Sequence, residues 1–309
     1  MFLITGGNGF VGRALAAEMA LRGLSVRSAS HMLPTASSEN INYTIAPRLG
    51  RDADWADSLP GVSTIIHTAA RVHIMGDQSR DALTEYRRVN VEGTLSLAEQ
   101  AARAGVGRFV FLSSIKVNGE ETKPGQPYTE ADDPAPKDAY GQSKLEAELG
   151  LRDISNKTGI EIVILRPPMI YGLGVKGNFA RLIKLAELGL PLPFGAVNNQ
   201  RSMIGLKNCI DLIICAAIHE NASGNIFLMS DGYDLSTTEL LRLLCKTMKK
   251  PSRLYPLPAP VLHFAAKFIN QDAAAQRLLC NLQVDIGETI KKLNWSPIQS
   301  IEDGLAVCF

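Results

Sequence analysis

Within its first 21 residues the chain runs from an apolar segment, Phe2 to Thr5, through Gly6-Gly7-Asn8-Gly9-Phe10-Val11-Gly12, into apolar residues at helical spacing: Phe10, Leu15, Ala16, Met19 and Leu21. Gly6 permits a tight turn, Gly9 lets a pyrophosphate approach the backbone, and Gly12 lets the helix pack closely, with the helix N-terminus meeting the phosphate charge. Three glycines alone also suit an ordinary loop. The strand before them and the helix after them point to a dinucleotide-binding turn whose lining includes Asn8, Phe10 and Val11.

The rhythm continues. After a stop at Gly23, strands are expected at 25–29, 41–45, 64–67, 108–113 and 161–166, with helices over 83–104 and 140–157. Apolar strands alternating with amphipathic helices imply a parallel sheet with right-handed crossovers and helices on both faces. After Arg166 come Pro167, Pro168, Gly172, Gly174 and Gly177, and the alternation stops. The expected fold class is α/β: a Rossmann-type doubly wound parallel sheet with a smaller, interleaved C-terminal lobe for substrate. Residues 1–166 form the dinucleotide-binding part, 206–232 return to it, and 167–205 with 233–309 form the lobe.

Composition narrows the partners. A length of 309 residues suits about two lobes, and 32 Lys+Arg against 31 Asp+Glu leave a net charge of +1. No global field would hold such a chain to nucleic acid or an anionic membrane. The five cysteines, Cys209, Cys215, Cys245, Cys280 and Cys308, show no metal-ligand spacing and read as buried thiols in a reducing compartment. The most apolar later stretch, 203–218, is interrupted by Lys207, Asn208 and Asp211, so no transmembrane segment is expected. The first residues already read as strand rather than as a leader, and the expected location is cytoplasmic, with no metal.

Tyr140 and Lys144, in DAYGQSKLEAE, stand at i and i+4 on one helix face, where an ammonium can favour a phenolate. A surface Tyr/Lys pair is the competing reading. Ser114 lies just past the strand at 108–113, at the strand end where ligands collect in such sheets.

Taken together, the glycine turn, Ser114 and Tyr140-x-x-x-Lys144 resemble the extended short-chain dehydrogenase/reductases over essentially the whole chain. Further matches are HTAA at 67–70, NVEGT at 90–94, RPPMIYG at 166–172 and VDIGETIKKLNWSP near the C-terminus. The run FVFLSSIKVNGE is similar to the UDP-galactose 4-epimerase branch, particularly bacterial 4-epimerases and 4-keto reductases of polysaccharide biosynthesis. The resemblance implies Tyr140 as acid/base, Ser114 as a hydrogen-bond partner of the sugar O4, and Lys144 as tuner and ribose ligand. It places Ser113 on the cofactor side, His67, Ala69 and Ala70 along the cofactor passage, and Asn90 as a helix-perturbing residue near a proton relay. Asn178, Phe194 and Arg201 would meet a nucleotide diphosphate, its base and the diphosphate again; for Phe194, core packing stays open, as a solvated helix position does for Asn90. Ser202 and Asn208 stand where that branch has acidic residues. A homodimer through the 83–104 and 140–157 helices would be the family habit.

Two departures concern the cofactor. The carboxylate that commonly ends the second strand and holds an NAD ribose is missing from Ser28-Ala29-Ser30-His31, and Arg13, Arg27 and His31 could receive a 2′-phosphate instead. NADP is therefore expected ahead of NAD. Pro47-Arg48-Leu49 replaces the usual adenine-contacting GDL. The function expected from these residues is an oxidoreductase at C4 of a UDP-linked hexose, a 4-keto-6-deoxy-sugar reductase ahead of a 4-epimerase with retained NAD. A non-catalytic dinucleotide-binding regulator remains the reading of another class.

Overall fold

The computed structural model describes all residues except 35–37, 39, 73–80 and 269–271. β1 (Phe2–Thr5), β2 (Val26–Ser30), β3 (Ile41–Ile45), β4 (Thr64–His67), β5 (Arg108–Leu112) and β6 (Glu161–Arg166) follow the expected alternation. After β6 come a short parallel pair, β7 (Met169–Tyr171) and β8 (Met203–Gly205), and then β9 (Ile226–Leu228), which returns beside β6. The main sheet has the order β3-β2-β1-β4-β5-β6-β9 with every pairing parallel. Direction of winding reverses between β1 and β4, so the crevice for a ligand opens at their C-terminal ends.

Both faces are covered. On one, α1 (Phe10–Leu21) and α6 (Leu206–Ile218) bury Leu15, Met19, Leu212 and Ile213, and the C-terminal segment adds Leu293 and Trp295. On the other, α2 (Ala82–Tyr86), α3 (Gly93–Arg103) and α4 (Ala139–Thr158) cross the sheet, α3 and α4 supplying Leu97, Ala101, Ala147 and Leu151 against Phe109 and Ile162. The smaller lobe carries α5 (Asn178–Leu188), α7 (Thr237–Thr247), α8 (Ala259–Phe268) and α9 (Asp272–Leu279). Its separate apolar cluster includes Tyr171, Phe179, Leu182, Leu241 and Leu244. α10 (Gly287–Leu293) and α11 (Ile301–Ala306) close the chain.

The single helix expected over 83–104 is interrupted: a π-helical turn, Arg87–Glu92, separates α2 from α3. Asn90 sits in that turn fully buried, accepting from the Arg71 backbone N–H at 2.8 Å and donating to the Arg71 carbonyl at 3.1 Å. An amide that pairs so completely with a loop replaces the solvated position and widens the turn, as π-bulges do at functional sites.

His67 is also interior. One ring nitrogen meets Thr5 Oγ1 at 2.7 Å and the other Thr94 Oγ1 at 3.0 Å, so the ring joins β1, β4 and α3. Burial, with the Lys144 charge adding to it, pushes its pKa down to about 3; the imidazole stays neutral. With both ring nitrogens engaged, the ring is a tie between strands and helix.

The glycine turn is set by close approach. Gly6 has φ +74°, and a Cβ on Gly12 would stand 2.3 Å from the Gly6 carbonyl oxygen and 2.8 Å from Thr68 Oγ1. Gly12→Ala should therefore force the first turn of α1 away from β1. The expected cost is about 1–3 kcal/mol of stability from overpacking, read as a lower thermal midpoint, together with weakened dinucleotide binding in a titration.

Candidate active site

The site assembles where β1, β4 and β5 end. Gly9 extends the chain as the N-cap of α1 with no side-chain cap, and no acidic residue occupies the first turn, so the helix's unpaired N–H groups are left for an anion. Asn8 fixes the turn by donating to the Met32 carbonyl at 2.7 Å, and Val11 anchors it in the core with Phe10 half-buried beside it. Ala69 and Ala70 follow β4 half-buried, with the Ala69 nitrogen 2.9 Å from where a Gly6 Cβ would be. An additional glycine escaped the sequence reading: a Gly7 Cβ would fall 2.0 Å from Ser28 Oγ on β2. Its signal was the doubled glycine itself.

Ser114 follows β5 in an extended conformation and caps a short 3₁₀ turn at 115–117, its Oγ accepting from the Lys116 N–H at 3.2 Å. That turn is locked to the start of α4. A Cβ on Gly141 would lie 2.7 Å from the Lys116 carbonyl oxygen, so only glycine lets the helix come this close. The Lys116 ammonium donates to Glu120 at 2.9 Å and to Asp138, while the other oxygen of Asp138 caps α4 by accepting from the Gly141 N–H at 2.7 Å. Ser114 and Tyr140 are thereby held by residues two positions from each.

Lys144 is buried and donates to the Leu112 carbonyl at 2.8 Å, its Nζ 4.5 Å from the Phe111 ring centre and 5.9 Å from that of Tyr140. Burial draws its pKa down to about 7, against an upward pull from Glu148. The Tyr140 phenol moves the other way: burial pushes its pKa well above the usual tyrosine value, and the Asp138 and Tyr86 charges add to that. The expected lowering of this phenol by Lys144 is thus outweighed in the protein alone, because desolvation and a carboxylate both favour the neutral phenol.

Beneath the pair runs a network that the sequence reading missed. Glu148 extends the Tyr140, Lys144 stripe by one more turn. It is gripped by Arg166 at the end of β6 through two bonds of 3.0 and 2.5 Å and receives the Ser113 hydroxyl at 2.5 Å. Arg166 also donates to Asn118 at 2.9 Å. Ser113 is buried with its hydroxyl committed to Glu148. The available signal was a carboxylate at i+4 from Lys144 on a buried helix face. Asn90 joins the same helix by donating to Ser143 at 3.0 Å, and Ser143 donates back to the Tyr140 carbonyl at 2.8 Å.

Arg27 is engaged away from the glycine turn. Its guanidinium donates to the Ser58 and Pro60 carbonyls at 2.8 and 3.0 Å, on the loop leading into β4 at the opposite end of the strands. His31 is exposed just past β2, 3.4 Å from the Ala46 carbonyl, and Ser30 donates to the Met32 carbonyl at 2.7 Å.

In the smaller lobe, Asn178 is exposed as the first residue of α5, and Phe194 is half-buried against Val197, Ala275 and Leu279. Arg201 is half-buried, with one guanidinium nitrogen on the Cys280 carbonyl at 2.9 Å, and burial lowers its pKa to about 10. A desolvated guanidinium held by a carbonyl favours an arriving anion. Ser202 and Asn208 do structural work: Ser202 donates to Asp234 at 2.5 Å, and Asn208 to Asp231 at 2.7 Å.

Against known proteins, residues 2–229 match the model of the NAD dependent epimerase/dehydratase family. The chain belongs to that family. A UDP-glucose 4-epimerase of Vibrio cholerae is 39% identical over 303 residues, covering 98% of this chain and 92% of that protein. An N-acetyl-alpha-D-glucosaminyl-diphospho-ditrans,octacis-undecaprenol 4-epimerase of Escherichia coli O157:H7 is 28% identical over 273 residues, 84% of this chain and 76% of its own length. A UDP-glucuronic acid 4-epimerase from Bacillus cereus, solved in complex with NAD, shares the fold with a TM-score of 0.79 at 22% identity, covering 99% of this chain and 96% of that one. This epimerase/dehydratase-family chain therefore combines an extended short-chain dehydrogenase/reductase scaffold with an open glycine cradle and a Ser114, Tyr140, Lys144 group, which fits a nicotinamide dinucleotide.

Asp138→Asn keeps the cap, since an amide oxygen accepts the Gly141 N–H, but removes the negative charge that raises Tyr140. The phenol should then ionise at lower pH, so the limb on which kcat/KM rises with pH should shift to lower pH. A pH–rate profile of the variant beside the parent checks the direction.

Proposed function

We propose that the protein is a UDP-hexose 4-epimerase that retains NAD, acting on UDP-glucose-type or N-acetylated sugars. The near full-length likeness to a UDP-glucose 4-epimerase at 39% identity carries this reading. The placement of Arg27 supports it, because one of the three cations that favoured NADP is engaged at the far end of the sheet.

On this reading the glycine turn and the α1 N-terminus would hold the dinucleotide pyrophosphate, Ala69 and Ala70 would contact the cofactor, and Lys144 would bind its nicotinamide ribose. A bound nicotinamide ring would supply the hydride acceptor and donor for C4. Tyr140 removes the O4 proton as the C4–H bond breaks, and Ser114 steadies that oxygen by hydrogen bonding. After the 4-keto sugar presents its other face, Tyr140 returns the proton to O4. The high proton affinity of the phenol suits the return step; removal depends on positive charge brought near it, which Lys144 provides when protonated. Arg201 grips the diphosphate, and Phe194 borders the base.

One observation favours a second reading. The end of β2, Ser28-Ala29-Ser30-His31, lacks a carboxylate for a ribose hydroxyl, which suits an exchangeable NADPH and hence a 4-keto-6-deoxy-sugar reductase. Polysaccharide biosynthesis and a cytoplasmic location are part of both readings.

Incubation with UDP-glucose and no added nicotinamide separates the two. An epimerase yields UDP-galactose while absorbance of reduced nicotinamide stays flat; a reductase leaves UDP-glucose untouched and oxidises NADPH only when given a UDP-4-keto sugar. In whichever assay is active, Arg201→Ala should raise KM for the nucleotide sugar about tenfold, from the loss of a charge-assisted contact worth roughly 1.5–3 kcal/mol, with dinucleotide affinity unchanged.

A further inference from the structure

α8 inverts the usual arrangement of a surface helix. Its residues at i, i+3, i+4 and i+7, namely Val261, Phe264, Ala265 and Phe268, are apolar and point outward, and no described residue of the helix is buried. Phe264 is 66% exposed and Phe268 75%, their rings packed edge to face at 4.9 Å. The opposite edge, Leu262 and Ala266, rests on the small cluster that also holds Phe194. An outward apolar stripe of this kind calls for a partner.

The patch extends beyond the helix. Residues 253–255 pair with Leu192 through Leu192 N–H to the Arg253 carbonyl at 2.9 Å and Tyr255 N–H to the Leu192 carbonyl at 2.8 Å. This brings the 253–255 backbone beside Leu192, and Tyr255, Leu257, Leu188 and Leu190 in the two flanking segments are exposed. Lys250 reaches the Glu187 carbonyl across the same seam. Charge is concentrated here. Residues 177–200 and 240–268 contain Arg181, Lys184, Arg242, Lys246, Lys249, Lys250, Arg253 and Lys267, all exposed, against Glu187 within those segments, Glu239 beside Arg242, and Glu302 and Asp303 on α11, which packs on α7. Since the whole chain is only +1, the remainder is net negative, and the exclusion of anionic surfaces from net charge does not apply to this side.

We propose that the smaller lobe seats on an anionic phospholipid bilayer through this face, with Val261, Phe264 and Phe268 in the headgroup boundary and the surrounding cations against lipid phosphates. An exposed aromatic stripe flanked by Lys and Arg is the pattern of a helix lying in the interface. No helix among the described residues is long and apolar enough to cross a membrane, so the contact is peripheral. A second copy docking through the same face would oppose two cationic surfaces, which disfavours it. The inference is independent of the epimerase or reductase reading.

Sedimentation of the full chain with phosphatidylcholine vesicles, with and without phosphatidylglycerol, tests it. The protein should pellet with the anionic vesicles, remain in the supernatant with the neutral ones, and be released as salt rises. Phe264→Ser with Phe268→Ser should weaken the partition at least about tenfold, and Lys249→Gln with Arg253→Gln should weaken it specifically at low salt, both with turnover in solution unchanged. Failure of the parent to pellet with anionic vesicles overturns the proposal, as does pelleting indifferent to lipid charge or to these substitutions. Self-association in analytical ultracentrifugation that the aromatic double variant abolishes also overturns it, assigning the face to a second copy.

Discussion

The buried pair of Glu148 and Arg166 is the constraint on which the site's geometry rests. It joins the middle of α4 to the end of β6, and the Ser113 hydroxyl brings in the end of β5. Charges taken this far from water are tolerated only when fully paired, and loss of one partner of such a pair typically costs about 3–5 kcal/mol. The contact has little tolerance for sliding, so α4 has one register against the sheet. Tyr140 and Lys144 on the same helix stripe inherit that register, and Ser114, next to Ser113, inherits the position of the strand end.

Around this anchor the site is electrostatically poised. Burial weakens the Lys144 ammonium while Glu148 supports it, and burial strengthens the hold of Tyr140 on its proton while Asp138 adds to that. Asp138 also caps α4 and pairs with Lys116 on the Ser114 turn. One carboxylate thus ties the Ser114 turn to the start of α4 and raises the proton affinity of Tyr140. In the proposed reaction the phenol holds its proton until positive charge approaches and lets it act as a base.

Much of the scaffold could be read from the chain because its signals are local. β1, β3, β4 and β6 begin and end where apolar runs meet Gly, Pro or polar residues, and the glycine turn announces itself by spacing. The π-helical turn is legible only through the resemblance that marks Asn90 as helix-perturbing, not through periodicity. It exists because Asn90 pairs with both backbone groups of Arg71, a contact across 19 residues that leaves no periodic trace. The partners of Arg27, Ser113 and His67 are illegible for a related reason: each has a residue type suited to a ligand, but the carbonyl, carboxylate or threonine that it meets is fixed only by the tertiary fold. Glu148 escaped notice as one carboxylate among several on a helix, since burial rather than sequence distinguishes it. Arg201 was singled out with its downstream pattern, whereas the side chains that replace the missing acidic residues pair with Asp231 and Asp234 from elsewhere in the chain.

In the proposed reaction the Tyr140 hydroxyl carries the proton at O4 while the surrounding scaffold does the holding. Turnover of Tyr140→Phe, measured together with its dinucleotide occupancy, tests this most directly. The account expects a loss of about 10²–10⁴ in kcat with dinucleotide binding unchanged, because only the proton-transferring oxygen is removed. Turnover within a few-fold of the parent at the same occupancy would contradict it.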